Sequence, residues 1–175
     1  FKISEGERYF KTNELDRPNE FEFKIESIGA IDPHIIFLKS IDILIIKLTH
    51  FINNLNKSNS DKIKILETVG VMKGYDIIIE NETHTLGYLL QSYAQLLHND
   101  KINFIGYRNP HPLKDLIELT INTNDNNIDN IKLLLTSTSK SLIEILNKIK
   151  AEIHSEFKVT TIIKKGPKKI LKSRK

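Results

Sequence analysis

The side chains here that could do chemistry are histidines, carboxylates and lysines, because the sequence holds no cysteine. Disulfides, thiolate-bound zinc and cysteine nucleophiles are thereby excluded. His84 and His98 stand 14 residues apart, close to one helix face, and two imidazoles on one face are the start of a metal site. No third ligand accompanies them, so capping or surface roles account for the pair better. His34, His50 and His154 are isolated. Asp125 and Asp129 could form an acid–base pair, but they sit in a run of Asn and Asp over 122–130, where helix capping explains them. The sequence shows no phosphate-cradling glycine loop, no nucleophile-elbow serine, no paired-histidine zinc helix and no aspartate cluster for two-metal chemistry. The residues therefore predict a non-enzymatic protein with no cofactor and no catalytic or metal site.

The net charge of +4 is unevenly spread. Residues 157–175 carry eight cationic side chains and no acid, so this tail holds +8 and the remainder −4. Lys164, Lys165, Lys168 and Lys169 are its candidate nucleic-acid contacts. A solvated terminus is the competing reading. Phe157 is its only aromatic residue, so base stacking is not suggested. The sequence opens on Phe1, which is read as a cut from a longer precursor, and its first stretch is no signal peptide.

The elements that must position these residues follow from periodicity. Residues 21–28 alternate apolar and polar, the pattern of a half-buried strand ended by Gly29. Asp32 and Pro33 suit the cap and first position of a helix over 34–55 with a narrow polar stripe. Lys39, Asp42 and Lys47 argue against a membrane span there. The polar run 56–61 reads as a linker. Short strands are expected at 63–66 and 75–79. A helix that Thr83, or else Asn81, could cap follows, with Leu86, Leu89, Leu90, Tyr93 and Leu97 on one face, ending near Asn99. Strands at 102–107 and 116–123 flank an irregular segment held by Pro110 and Pro112. A long helix runs from Ile128 to about Ile153, which Thr136, Ser137, Thr138 and Ser139 could break. Residues 159–163 read as a last short strand or extended segment.

Two stretches within this order carry a family resemblance. One is His84, Thr85, Leu86, Gly87, Tyr88, Leu89, Leu90; the other runs Phe104, Ile105, Gly106, Tyr107, Arg108, Asn109, Pro110, His111, Pro112, Leu113. In this order and spacing they resemble the eleventh-subunit family of RNA polymerase II. That family includes the archaeal counterpart and the small subunit shared by polymerases I and III, and is more distantly similar to the dimerisation domain of the bacterial α subunit. The match covers 62–153. Tyr88 and Gln91 depart from the family, which usually has Asn and often a basic residue at these places. Residues 25–29 and the helix after them are similar to the end of the third-subunit family, and the two on one chain resemble the fused subunit of large nucleo-cytoplasmic DNA viruses.

The resemblance implies an α+β, α-like dimerisation fold: a small antiparallel sheet, packed helices and a long C-terminal helix. It divides the chain into a third-subunit-like part (1–55), a linker (56–62), an eleventh-subunit-like domain (63–155) and a basic tail (156–175). It implies a non-catalytic assembly subunit of a DNA-dependent RNA polymerase. The implied pairing surface is Leu86, Gly87, Leu89, Leu90, Tyr93, Leu97, Leu142, Ile145 and Ile149; the glycine itself reads either as admitting a second helix or as tolerated within an ordinary core helix. Gly106, Tyr107, Pro110, His111, Pro112 and Leu113 form the implied corner for docking, with a purely structural turn as the competing reading. The implied partners are the large catalytic and small polymerase subunits and the third-subunit-like half of the same chain, with DNA or RNA met only through the complex and no membrane. The implied location is intracellular, in host cytoplasm or virion if viral and otherwise in the nucleus. The alternative is a free-standing basic nucleic-acid-binding module working through the tail.

Overall fold

A computed structural model of the chain describes residues 20, 22–57, 60–69, 73–111 and 113–164, with side chains to 157. The chain falls into two compact units, Phe1–Ile36 and Phe37–Lys175.

In the first unit, residues 22–28 form no strand ladder, and Phe23 is 75% exposed. This corrects the strand expected over 21–28, of which Phe21 lies outside the described residues. An alternating pattern becomes a strand only when a neighbouring backbone takes up its N–H and C=O groups. Among the described residues no such neighbour is paired with it. The chain instead closes a turn. Ser27 Oγ accepts the Gly29 N–H at 3.1 Å and donates to the Ile31 carbonyl at 2.5 Å. The Asp32 carbonyl then accepts the Ile35 and Ile36 N–H groups at 2.9 and 3.1 Å, which opens helix α1, Pro33–Leu55.

The second unit is built on a four-stranded antiparallel sheet: β1 Ile63–Glu67, β2 Tyr75–Glu80, β3 Ile102–Arg108 and β4 Leu116–Thr123, in the order β1-β2-β4-β3. Ile77 sits opposite Leu119, and Ile79 opposite Ile117. With Ile121 these side chains are at most 3% exposed and form the floor of the core. The other face is polar and cross-linked. Lys64 pairs with Glu80 at 2.9 Å, Arg108 with Glu118 at 2.8 Å, and Thr120 donates to Asp76 at 2.7 Å. A register shift between Ile102 and Phe104 changes the phase of β3. Ile102 and Ile105 can therefore both turn inward, and Phe104 turns out.

Two further helices, α2 His84–Leu97 and α3 Ile128–Lys164, add Leu86, Leu90, Ala94, Ile131, Leu135 and Leu142 to this core, and α1 adds Leu48, Phe51 and Leu55. Burying one such aliphatic side chain contributes about 1.5–3 kcal/mol. Thr136, Ser137, Thr138 and Ser139 do not break α3, and three of the hydroxyls are satisfied by bonding back onto its own backbone. Ser137 and Thr138 donate to the Leu134 carbonyl at 2.8 and 2.9 Å, and Ser139 to that of Leu135 at 2.8 Å. The segment 159–163, expected as a short strand or extended segment, is helix, since α3 runs on to Lys164. Adding a residue to an existing helix is cheap, and β-branching costs only tenths of a kcal/mol. Among the described residues no helix is long and apolar enough to cross a membrane.

Candidate functional site

The chemistry-bearing residues separate rather than converge. Fourteen positions along a helix are about 21 Å, and His84 and His98 end up with different neighbours. His84 stands edge-on to the Tyr107 ring, with centroids 5.8 Å apart. His98 Nε2 lies 3.2 Å from Ser137 Oγ. That serine already donates its one proton to the Leu134 carbonyl, so it accepts from the imidazole. The pair is thus wired opposite to a nucleophilic dyad, which needs the hydroxyl to donate to the ring. Among the described residues no group of three or more His, Asp or Glu could hold a metal.

The Asn and Asp run acts as a cap. Asn127 Oδ1 accepts the Asp129 N–H at 2.9 Å at the start of α3. Asp125 accepts from Asn130 at 2.5 Å and Thr123 at 2.9 Å. These two donors, Asn130 first, hold its carboxyl below the ordinary carboxylate range, since they favour the charged form.

The two stretches that carry the family pattern meet in space. A Cβ built at Gly87 would stand 2.5 Å from Cδ2 and 2.8 Å from Cγ of Tyr107. The glycine expected to admit a second helix admits a ring from β3. The Tyr107 N–H donates to Gln91 Oε1 at 3.2 Å, so Gln91 reaches across to the backbone of β3. Tyr107 is therefore held by a ring edge, a missing side chain and an amide. Tyr88, the other departure from the family pattern, is 62% exposed. Sequence reading named Gly87 and Tyr107 but did not join them, because no periodic signal links a helix glycine to a strand tyrosine.

The remaining residues of the expected pairing surface divide by depth. Leu86, Leu90 and Leu142 are buried in the core, and Leu89, Tyr93 and Ile145 are half-buried. Leu97 and Ile149 are 42% and 38% exposed. Only the outer members could meet a partner, since the inner ones already have neighbours.

The corner after β3 is ordered by its own polar groups. The Arg108 guanidinium bonds Glu118, and that hydrogen bond raises the Arg108 pKa above its ordinary value. Asn109 Oδ1 accepts the His111 N–H at 2.9 Å, and His111 Nδ1 accepts the Leu113 N–H at 3.2 Å. Pro110 and His111 are exposed, and Leu113 is 89% exposed at the tip. Gly106 is half-buried, and Pro112 lies outside the described residues. Of the basic positions, Lys164 ends α3, while Lys165, Lys168 and Lys169 lie outside the described residues.

Sequence reasoning missed two ion pairs that tie α1 to the elements after the linker: Lys47 with Glu82 at 2.6 Å, and Lys150 with Asp42. Partners so far apart in sequence leave no local signal.

Residues 75–152 match the family model of the RNA polymerase Rpb3/Rpb11 dimerisation domain. The chain is similar to DNA-directed RNA polymerase II subunit RPB11 of Schizosaccharomyces pombe, 32% identical over 90 residues that cover 51% of this chain and 70% of that protein. It is 34% identical over 100 residues to the probable RPB11 subunit of Caenorhabditis briggsae, covering 57% and 79%. Against the probable RPB11 of Caenorhabditis elegans the match is tighter and shorter, 48% over 48 residues, or 27% of this chain and 38% of that protein. The family match runs from β2 into α3 and so contains Gly87, Tyr107 and the corner.

Proposed function

Because the chain belongs to the RPB11 family of DNA-directed RNA polymerase subunits, we propose that it is an assembly platform that carries both paired α-like halves and docks the large catalytic subunits. It is a non-catalytic subunit, acting inside the cell wherever its polymerase is assembled. The observation that carries the two-half reading is α1. Leu48, Phe51 and Leu55 precede the linker, yet they share one core with the sheet, α2 and α3. A helix on the same chain docks without the entropy cost of a second molecule, because the linker supplies a high local concentration. Such a chain would resemble the fused subunit of large nucleo-cytoplasmic DNA viruses.

Docking on a large subunit is supported by the corner. Leu113 offers an exposed apolar tip on a loop whose polar groups bond one another, so little order is lost on binding. The test is co-expression with the second-largest polymerase subunit, followed by size-exclusion chromatography. Co-elution is expected, and Leu113→Asp should reduce it at least about tenfold while leaving the fold intact. Two folded chains that elute apart would refute the docking role.

A further inference from the structure

Asp42 and Lys47 are five residues apart on α1, about 140° around the helix and ~7.5 Å along it. The buried stripe of Leu38, Ile41, Leu48, Phe51 and Leu55 lies wholly on the other, wider side of the helical wheel, in the remaining sector of about 220° between them. The two charges therefore flank the stripe on opposite sides, as charged residues flank the apolar seam of a coiled coil. Their signs differ, and so do those of their partners. Lys47 Nζ meets Glu82 Oε2 at 2.6 Å, just before α2, while Asp42 meets Lys150 on α3. The Glu82 side chain is 14% exposed and that of Lys47 31%, so this pair is the better shielded. Shielded pairs add little net stability, because desolvation offsets attraction, but a mismatched charge in the same place is costly.

We propose that these two ion pairs form a two-sign code that fixes the direction and rotation in which the helix before the linker seats on the domain after it. The inference rests on the reading of the chain as two paired halves. Turning α1 end for end with its stripe still inward exchanges its flanks. Asp42 would then face the side of Glu82, and Lys47 the side of Lys150, with like charges opposed on both. A foreign helix with a suitable apolar stripe but without this pattern is rejected the same way. The code sorts helices that hydrophobicity alone would accept.

The test uses the full chain and amide hydrogen exchange along 37–55. The double change Asp42→Lys with Lys47→Glu inverts the helix code and leaves its net charge unaltered. Exchange in α1 should speed at least about tenfold. Glu82→Lys with Lys150→Glu should do the same from the other side. All four changes together should return α1 to within about threefold of the wild-type rate. Wild-type protection in the inverted helix would overturn the proposal. So would a fourfold variant that stays unprotected, including the case where the double variants fail to fold. The readout needs no polymerase, so a failure to bind the large subunit leaves it untouched.

Discussion

A methyl group added at Gly87 would fall 2.5 Å from a ring carbon of Tyr107, so the cost of alanine there is decided by whether that ring can move. Its room is small, since His84 lies against the ring and Gln91 holds the backbone beneath it. Alanine favours a helix interior by about 1 kcal/mol over glycine. Overpacking costs roughly 1–3 kcal/mol and should win, so Gly87→Ala should lower stability in urea denaturation. In a Tyr107→Ala background the same substitution should stabilise, because only the helix propensity is left. A gain in both backgrounds would mean that the ring does not set the glycine.

At the scale of the element, the entry to α3 hangs on Asp125, whose carboxylate gathers Asn130 and Thr123. Its pKa is lowered in the fold, so its contribution is present above the ordinary carboxylate value. It disappears as the pH falls through the lower, folded value. Asp125→Asn should therefore be less stable than wild type at neutral pH, and the gap should close in acid, read as urea midpoints across the acid range. A gap that ignores pH would show that the charge has no part in the cap. The elements themselves were largely legible. Ile77 and Ile79 on β2, and Leu86 and Leu90 on α2, follow the two periods that strands and helices impose. Residues 22–28 misled because alternation announces a face, not the neighbour a strand needs. Residues 159–163 misled because a short apolar run does not show whether a helix already in progress continues through it. The Tyr107 seat and the ion pairs of α1 were illegible for a common reason: each joins residues that no short window contains.

At the scale of the molecule, Phe51 tests whether the helix before the linker belongs to the body after it. The side chain is 3% exposed and lies in the shared core. Phe51→Ala should cost about 3–5 kcal/mol. Helix ellipticity and the tyrosine emission, to which Tyr75, Tyr93 and Tyr107 beside the core contribute, should shift together in one transition. Tyrosines that unfold as in the wild type would mean that α1 stands apart. The same body has a spar. Helix α3 is 37 residues long, about 56 Å, whereas the eight residues of β4 span only ~27 Å. Leu142 is its last deeply buried side chain among the described residues, and Lys164 ends it roughly 33 Å further on. The helix therefore ends well outboard of the core, as an outrigger does, and truncating or lengthening the spar by whole turns would move its tip in steps of about 5.4 Å.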